Sequence, residues 1–376
     1  MREPVVAAQG STMRTASHLA DGRELFYYDD LPGRVEVPRD RRNLTSLVST
    51  SELRYDQMQD DWVIIASHRQ DRTHLPPSDE CPLCPTRPGH ATEIPASDYD
   101  VVVFQNRFPS LTETPSAVLS QEPLVARPGL GRCEVICFSS DHDTTFSKLP
   151  HERLRTIADA IVDRTDDLSA IDGVEYVLYF ENRGEEIGVT LSHPHGQLYA
   201  YPFIPPRMQR SILAARRFKE RTNNCLSCML LEAELHDSRR ILLETESFVA
   251  FVPFASRWPF EVHIASRRHL PDLGSLAGPA RVELLGVEAR VLDVFDSLFS
   301  KPMPYIASLV QAPVKQDREV AHLRLEVFSV RRAEGKLKHL AGSESAAGTF
   351  INDIRPEDAA AILRAGLEGS TAHRGA

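Results

Sequence analysis

Two histidines one residue apart, His193 and His195 in "SHPHGQLYA" (192–200), stand just ahead of Gly196 and Gln197. Elsewhere the chain holds two short cysteine pairs, "CPLC" with Cys81 and Cys84 and "CLSC" with Cys225 and Cys228. Zinc favours four tetrahedral Cys or His ligands, and two such sets can be read off in parallel. The first is Cys81, Cys84, His142 and His193; the second is Cys225, Cys228, His269 and His322. Cysteine and first histidine are 58 residues apart in one set and 41 in the other; the two histidines are 51 and 53 apart. Cysteine pairs of this spacing point to metal or redox chemistry, and neither lies in the βαβ context of a thioredoxin-like motif.

On a strand, alternate side chains share a face, so His193, His195 and Gln197 point the same way. A His-Pro-His segment alone is compatible with a polar strand or a bis-histidine metal site. If His193 turns to a metal, His195 is left as a free imidazole on a strand held in place. Neutral imidazole is abundant at neutral pH. It can displace a leaving group from phosphorus, which splits one transfer into two steps. Gly196 lets a ligand approach the backbone, and the Gln197 amide can donate to an oxyanion.

The elements that must position these residues occur twice. After "CPLC" comes the apolar strand "YDVVVFQNRFPSL" (99–111), and after "CLSC" comes "SFVAFVPFASRWPF" (247–260). "EVICFSSDH" (134–142) and "EVHIASRRH" (261–269) share four of nine residues and both end in histidine. Each leads to an amphipathic helix: Leu154, Ile157, Ala158, Ile161 and Val162 recur at helical spacing, as do Leu284, Val287, Val291, Val294, Phe295 and Leu298. Strands "VEYVLYFEN" (174–182) and "PYIASLVQAP" (304–313) follow, and each half closes on a histidine-bearing strand, "SHPHGQLYA" or "AHLRLEVFS" (321–329). Aligned on that histidine, His195 faces Arg324 and Gln197 faces Glu326, so one copy is reactive and the other silent. The expected fold is α+β: two similar halves, each an antiparallel sheet with packed helices. Residues 1–48 read as an irregular arm, 49–212 as the catalytic half, and 213–376 as the second half. The last half includes a short helix at 355–367 and a frayed tail.

With 376 residues and a net charge of −10, the chain lacks the basic excess that a nucleic-acid partner requires. No apolar run approaches the length of a membrane span, and the N-terminal apolar patch is too short for a secretory signal. The expectation is a cytoplasmic protein with a small anionic ligand.

"GVTLSHPHGQLYA" resembles the active-site signature of the galactose-1-phosphate uridylyltransferases, the transferase branch of the histidine-triad superfamily. The resemblance runs from about Asp21 to Leu367 and includes "LRYDQMQDDWVIIASHRQDRTHLPP" (53–77), "CPLC", "VICFSSDH", "YFENRGEEIGVTLSHPHGQ" and "KLKHLAGSES" (336–345). It implies a homodimeric enzyme that moves UMP from UDP-glucose onto galactose 1-phosphate through a uridylylated His195. By the same resemblance Gln197 holds a phosphoryl oxygen, and Cys81, Cys84, His142 and His193 bind zinc. Arg69 and Arg72 would meet the phosphates, and Leu83, Phe104 and Asn106 would form the uracil and ribose pocket. Asn182 and Thr190 would contact phosphate, while Lys338, Ser343 and Glu344 would touch the hexose. Some members carry an iron-type site of one glutamate and three histidines. Its matching positions here are Ser211, Val310, Glu326 and Phe328, a set that ligates poorly. A second zinc at Cys225, Cys228, His269 and His322 is expected from the repeat alone. The alternatives are a related transferase of adenine nucleotides or their sugars, a hydrolase in which water takes the sugar phosphate's place, and a zinc-stabilised nucleotide-binding protein without transfer activity.

Overall fold

Runs of β-branched and aromatic residues in this chain become strands, and apolar residues recurring every three or four positions become helices. The computed structural model describes residues 12–31, 33, 37–45, 50–71 and 75–374. In chain order it contains β1 (Met13–His18), β2 (Glu24–Asp29), β3 (Glu52–Asp56), β4 (Asp61–Ile65), β5 (Val101–Gln105), β6 (Ala126–Pro128) and β7 (Arg132–Cys137). Helix α1 (His151–Ser169), β8 (Tyr176–Arg183), β9 (His195–Tyr201), α2 (Pro206–Thr222) and α3 (Leu226–Asp237) complete the first part of the chain. The second part holds β10 (Ile241–Glu244), β11 (Phe248–Phe251), β12 (Phe260–Ser266), α4 (Gly278–Ser297), β13 (Tyr305–Val310) and β14 (Arg324–Ser329). It closes with β15 (Arg331–Ala333), β16 (Lys336–Leu337), α5 (Gly342–Ala347) and α6 (Pro356–Arg374).

Eleven strands form one sheet in the order β1-β2-β5-β7-β9-β8-β13-β14-β12-β11-β10. The four strands β5-β7-β9-β8 repeat, in mirrored order, as β13-β14-β12-β11, so the copies meet at the antiparallel β8–β13 pair. Helices α1, α4 and α6 share one side of the sheet, while α2 and α3 pack on the other, Met208 against Tyr176 and Val310 and Leu231 against Val249, Phe251 and Ala265. On the first side a single apolar cluster joins Leu154, Ile157 and Ile161 of α1 to Leu284, Val291 and Phe295 of α4 and Leu363 of α6. Each such side chain contributes roughly 1.5–3 kcal/mol by leaving water. The other side of the first half is covered by the small sheet β4-β3-β6. No helix among the described residues is long and apolar enough to cross a membrane.

Several expectations change here. Residues 13–29, read from the sequence as an irregular arm, form β1 and β2 and extend the sheet beyond β5. The cause is tertiary: Leu25, Tyr27 and Phe26 are buried on both faces only because β5 and α1 are there to receive them. Residue 212, the expected division between the halves, lies in α2, the helix between β9 and α3. The tail expected to fray continues as helix to Arg374.

One buried ionic network ties β7 to α1. The fully buried Glu134 carboxylate accepts from Arg132 Nε at 2.7 Å and from Arg164 Nε and Nη2 at 2.9 Å. Removing one partner of such a cluster strands the other charge in the core. Arg164→Met is expected to lower the free energy of unfolding by about 3 kcal/mol, read from urea denaturation at neutral pH.

Candidate functional site

Strand β9 begins at His195 and is hydrogen-bonded between β7 and β8, with Cys137 opposite His195 and Glu181 opposite Gly196. His195 Nδ1 lies 2.7 Å from the His193 carbonyl oxygen. A ring nitrogen facing a carbonyl must carry the proton, so Nδ1 donates and Nε2 keeps a bare lone pair. Burial lowers the pKa of His195 from its ordinary 6.5, which keeps the ring neutral. The residue lines a cavity of about 550 Å³, together with Leu75, Asn182, Val189, Pro194 and Lys301.

Gly196 is required by close packing. A Cβ there would lie 2.9 Å from Tyr179 Cε2, 3.0 Å from Phe138 Cζ and 3.2 Å from the Phe180 carbonyl oxygen. The backbone beside His195 is thus pressed onto two aromatic rings of the helix side.

Both cysteine–histidine sets come together. In each, the four ligand atoms lie within 4.8 Å of one another. In the first, Cys84 Sγ is 3.3 Å from His142 Nδ1 and 3.6 Å from His193 Nδ1. In the second, His322 Nδ1 is 3.7 Å from Cys225 Sγ and 3.4 Å from Cys228 Sγ. A sulfur–nitrogen edge of a zinc tetrahedron measures about 3.6 Å from the usual bond lengths, so both donor sets fit that ion. The outer contacts match as well. His193 Nε2 faces the Ser139 carbonyl oxygen at 2.8 Å, and His322 Nε2 faces that of Ser266 at 2.8 Å. Each bond fixes the ring so that Nδ1 turns to the sulfurs. Tyr99 Oη adds a contact to His193 Nε2 at 2.9 Å.

The other expected site residues divide. Leu83 and Phe104 are buried in one apolar cluster with Cys81. Asn106 uses its Oδ1 to accept from the Phe108 amide and so shapes the turn after β5. Arg69 donates to the Phe108 carbonyl at 2.7 Å and lies near Tyr199, on the His195 face. Thr190 contributes its carbonyl to the Leu75 amide, and its neighbours Val189 and Leu191 line the cavity. Arg72 lies outside the described residues. Lys338 and Glu344 form a buried 2.7 Å pair, and Ser343 Oγ donates to the Thr349 carbonyl. None of these three lines the cavity at His195. Of the iron-type positions, Glu326 is engaged by Arg324 and Arg207, and Phe328 stacks on Trp258. Glu181, Thr144, Thr145, Lys301 and Tyr305 line the cavity without any motif to announce them; they arrive from the helix side and from the second half.

Two copies of one unit, sharing one antiparallel sheet and each setting two cysteines and two histidines together at the entry to its last strand, make this a tandem-repeat α+β protein. The galactose-1-phosphate uridyl transferase N-terminal domain model matches residues 38–205, and the C-terminal domain model matches 212–374. The chain therefore belongs to the galactose-1-phosphate uridylyltransferase family. A galactose-1-phosphate uridylyltransferase of Streptomyces lividans is 45% identical over 368 residues, covering 93% of this chain and 97% of the relative. One from Thermotoga maritima is 39% identical over 317 residues, covering 83% and 98%. A solved uridylyltransferase structure superposes with a TM-score of 0.76 at 32% identity, covering 85% of this chain and 99% of that one.

The tight seat of Gly196 yields a direct test. Gly196→Ala is expected to cost roughly 1–3 kcal/mol of stability by overpacking, measured by thermal or urea unfolding.

Proposed function

We propose that this chain transfers the uridylyl group of UDP-glucose to galactose 1-phosphate, releasing glucose 1-phosphate and UDP-galactose. The observation that carries the reading is the His195 ring: kept neutral by burial, held at Nδ1 by a backbone carbonyl, and bordering a cavity with Nε2 unengaged among the described residues. In the first step Nε2 attacks the α-phosphorus. A P–N bond forms, the P–O bond to glucose 1-phosphate breaks, and the leaving phosphate takes the electron pair. In the second step a phosphate oxygen of galactose 1-phosphate attacks the same phosphorus and the P–N bond breaks, returning the lone pair to Nε2. No proton need leave the ring, because Nδ1 keeps its own throughout.

Gln197, on the same face of β9, donates its amide to a phosphoryl oxygen as charge builds there. Asn182 and the Val189–Leu191 segment with Thr190 border the phosphates. Arg69 and Arg72 supply the positive charge that a nucleotide sugar needs. Leu83, Phe104 and Asn106 border the base and ribose. Because Lys338, Ser343 and Glu344 do not line the His195 cavity of their own chain, their hexose contacts belong to a homodimer, in which a second copy supplies them.

Cys81, Cys84, His142 and His193 would hold one zinc, which would fix His193 and with it the carbonyl that orients His195; Cys225, Cys228, His269 and His322 would hold a second, tying the start of α3 to the segment entering β14.

Intact-protein mass measurement after mixing with UDP-glucose is expected to show a gain of one uridylyl group, lost again on adding galactose 1-phosphate. His195→Ala should take up none, and its turnover should fall by on the order of 10⁴ or more. An adduct with ADP-glucose but not UDP-glucose would move the reading to an adenylyl transferase, and no adduct with either would leave a binding protein. Metal analysis of the loaded chain is expected to return two zinc ions per chain. Cys84→Ser and Cys228→Ser should each remove one, and a single zinc in the wild type would refute the second site.

A further inference from the structure

Behind β8, on the side away from the His195 ring, four ionisable side chains are shut into the core: Tyr179 and Glu181 of β8, Glu288 of α4 and Tyr305 of β13. The Tyr305 hydroxyl donates to Glu181 Oε1 at 2.5 Å. Among the described residues, Glu181 Oε2, Tyr179 Oη and both oxygens of Glu288 are buried with no hydrogen-bond partner. Four polar atoms orphaned in one place are uncommon in a folded core, because a buried polar group left unpaired loses its hydration with nothing in return.

Counting donors and acceptors resolves them. If both carboxyls were ionised, Tyr179 would bring the one proton available to the orphaned atoms. If Glu288 keeps its proton, the set has two donors, Glu288 O–H and Tyr179 O–H, and two acceptors, Glu181 Oε2 and the Glu288 carbonyl oxygen. Bridged by water, the set then closes. Neighbouring charges favour the same distribution. Burial lifts the Glu181 carboxyl to about 7, but the Tyr305 hydroxyl and Arg183 of β8, which lies over the Tyr305 ring, pull the other way and leave Glu181 the more readily ionised of the two carboxyls. Asp296 of α4 is taken up by Arg183 and Ser147, and Lys148 is engaged by Asp293. Among the described residues no cation thus remains for Glu288. Burial and the nearby Glu181 both push its carboxyl well above the ordinary range.

This cluster sits where it can reach the site. Glu181 is the ladder partner of Gly196, Tyr179 Cε2 is the atom closest to the space above the Gly196 Cα, and Glu181 and Tyr305 line the cavity shared with His195. We infer that Glu288, carrying a proton, closes a hydrogen-bonded lock with Glu181, Tyr179 and Tyr305 that holds β8 and β13 together behind His195, and that loss of this proton opens the lock and sets the alkaline limit of the enzyme. Glu288 is a positioning residue; it touches no substrate. The effect on transfer rests on the function proposed above, whereas the effect on stability does not.

The sign follows from proton linkage. A carboxyl that binds its proton more tightly when folded makes the native state the more protonated one, so stability falls as pH rises above the unfolded carboxyl range. Wild-type protein is expected to lose roughly 3 °C or more of melting temperature between about pH 7 and about pH 9 beyond the loss shown by Glu288→Gln or Glu288→Met. Both variants lack the titrating proton; the second also removes the polar atoms, so it decides the matter should the amide fail to fold. Uridylyl-adduct formation in the wild type should drop severalfold over the same range, and in the variants by less than about twofold. A purely structural role would lower all rates alike without changing the profile. Infrared spectra of the wild type should hold a protonated-carboxyl band at neutral pH that fades only on the alkaline side. Parallel melting profiles for wild type and variants, or no such band, would overturn the lock. A flat melting difference is a failure of the lock, while absence of any adduct is a failure of the transfer reading.

Discussion

The antiparallel pairing of Tyr305–Val310 with Tyr176–Arg183 is the contact on which the rest of the molecule depends. Each half taken alone would present an unpaired strand edge there, and an exposed edge is a template for association. Joining the two edges removes both at once and turns two sheets into one. It also sets α1 and α4 side by side over a common apolar cluster, so the halves share a core. The cavity beside His195 is a product of that joint: its walls come from β8 and β9 of one copy and from Lys301 and Tyr305 of the other. A change at the seam therefore acts on both the stability of the sheet and the shape of the site.

The two copies have kept the same scaffold and diverged in chemistry. Each retains two cysteines, two histidines and a serine carbonyl behind the second histidine, with nearly equal distances. Where the first copy has His195, the second has Arg324, whose Nε lies 2.8 Å from Glu326, the counterpart of Gln197. Arg207 also engages Glu326, and His263 pairs with Glu261 at 3.0 Å. The cations hold the Glu326 carboxyl well below its ordinary range. Ion pairs thus occupy the face that the first copy leaves open to a cavity. The same strand geometry borders a cavity in one half and carries internal ion pairs in the other.

Much of this was legible in one dimension. The repeated order of cysteine pair, strand, histidine strand, helix, strand and histidine strand was readable because strand and helix periods leave a local signature. Both ligand sets were readable because their spacings run in parallel. The placement of His195 and Gln197 on one face followed from the two-residue period alone. The residues at 13–29 were misjudged because their strands are stabilised by a neighbour from later in the chain. Helices α2 and α3 carried no clear signal: α2 buries little more than Met208, Ile212 and Ala215, and α3 only Leu231 and Glu234.

By itself, then, the sequence determined the fold class, the family, the two donor sets and the strand that places His195 and Gln197 on one face, since each rests on residue type and short spacing. Tertiary structure alone decided which residues wall the cavity, and that Lys338, Ser343 and Glu344 stay away from it within one chain. It also decided that Glu181 and Glu288, over a hundred positions apart, would face each other across the seam. Such contacts are set by how sheets join and helices pack, and no local pattern of side chains encodes a partner that distant.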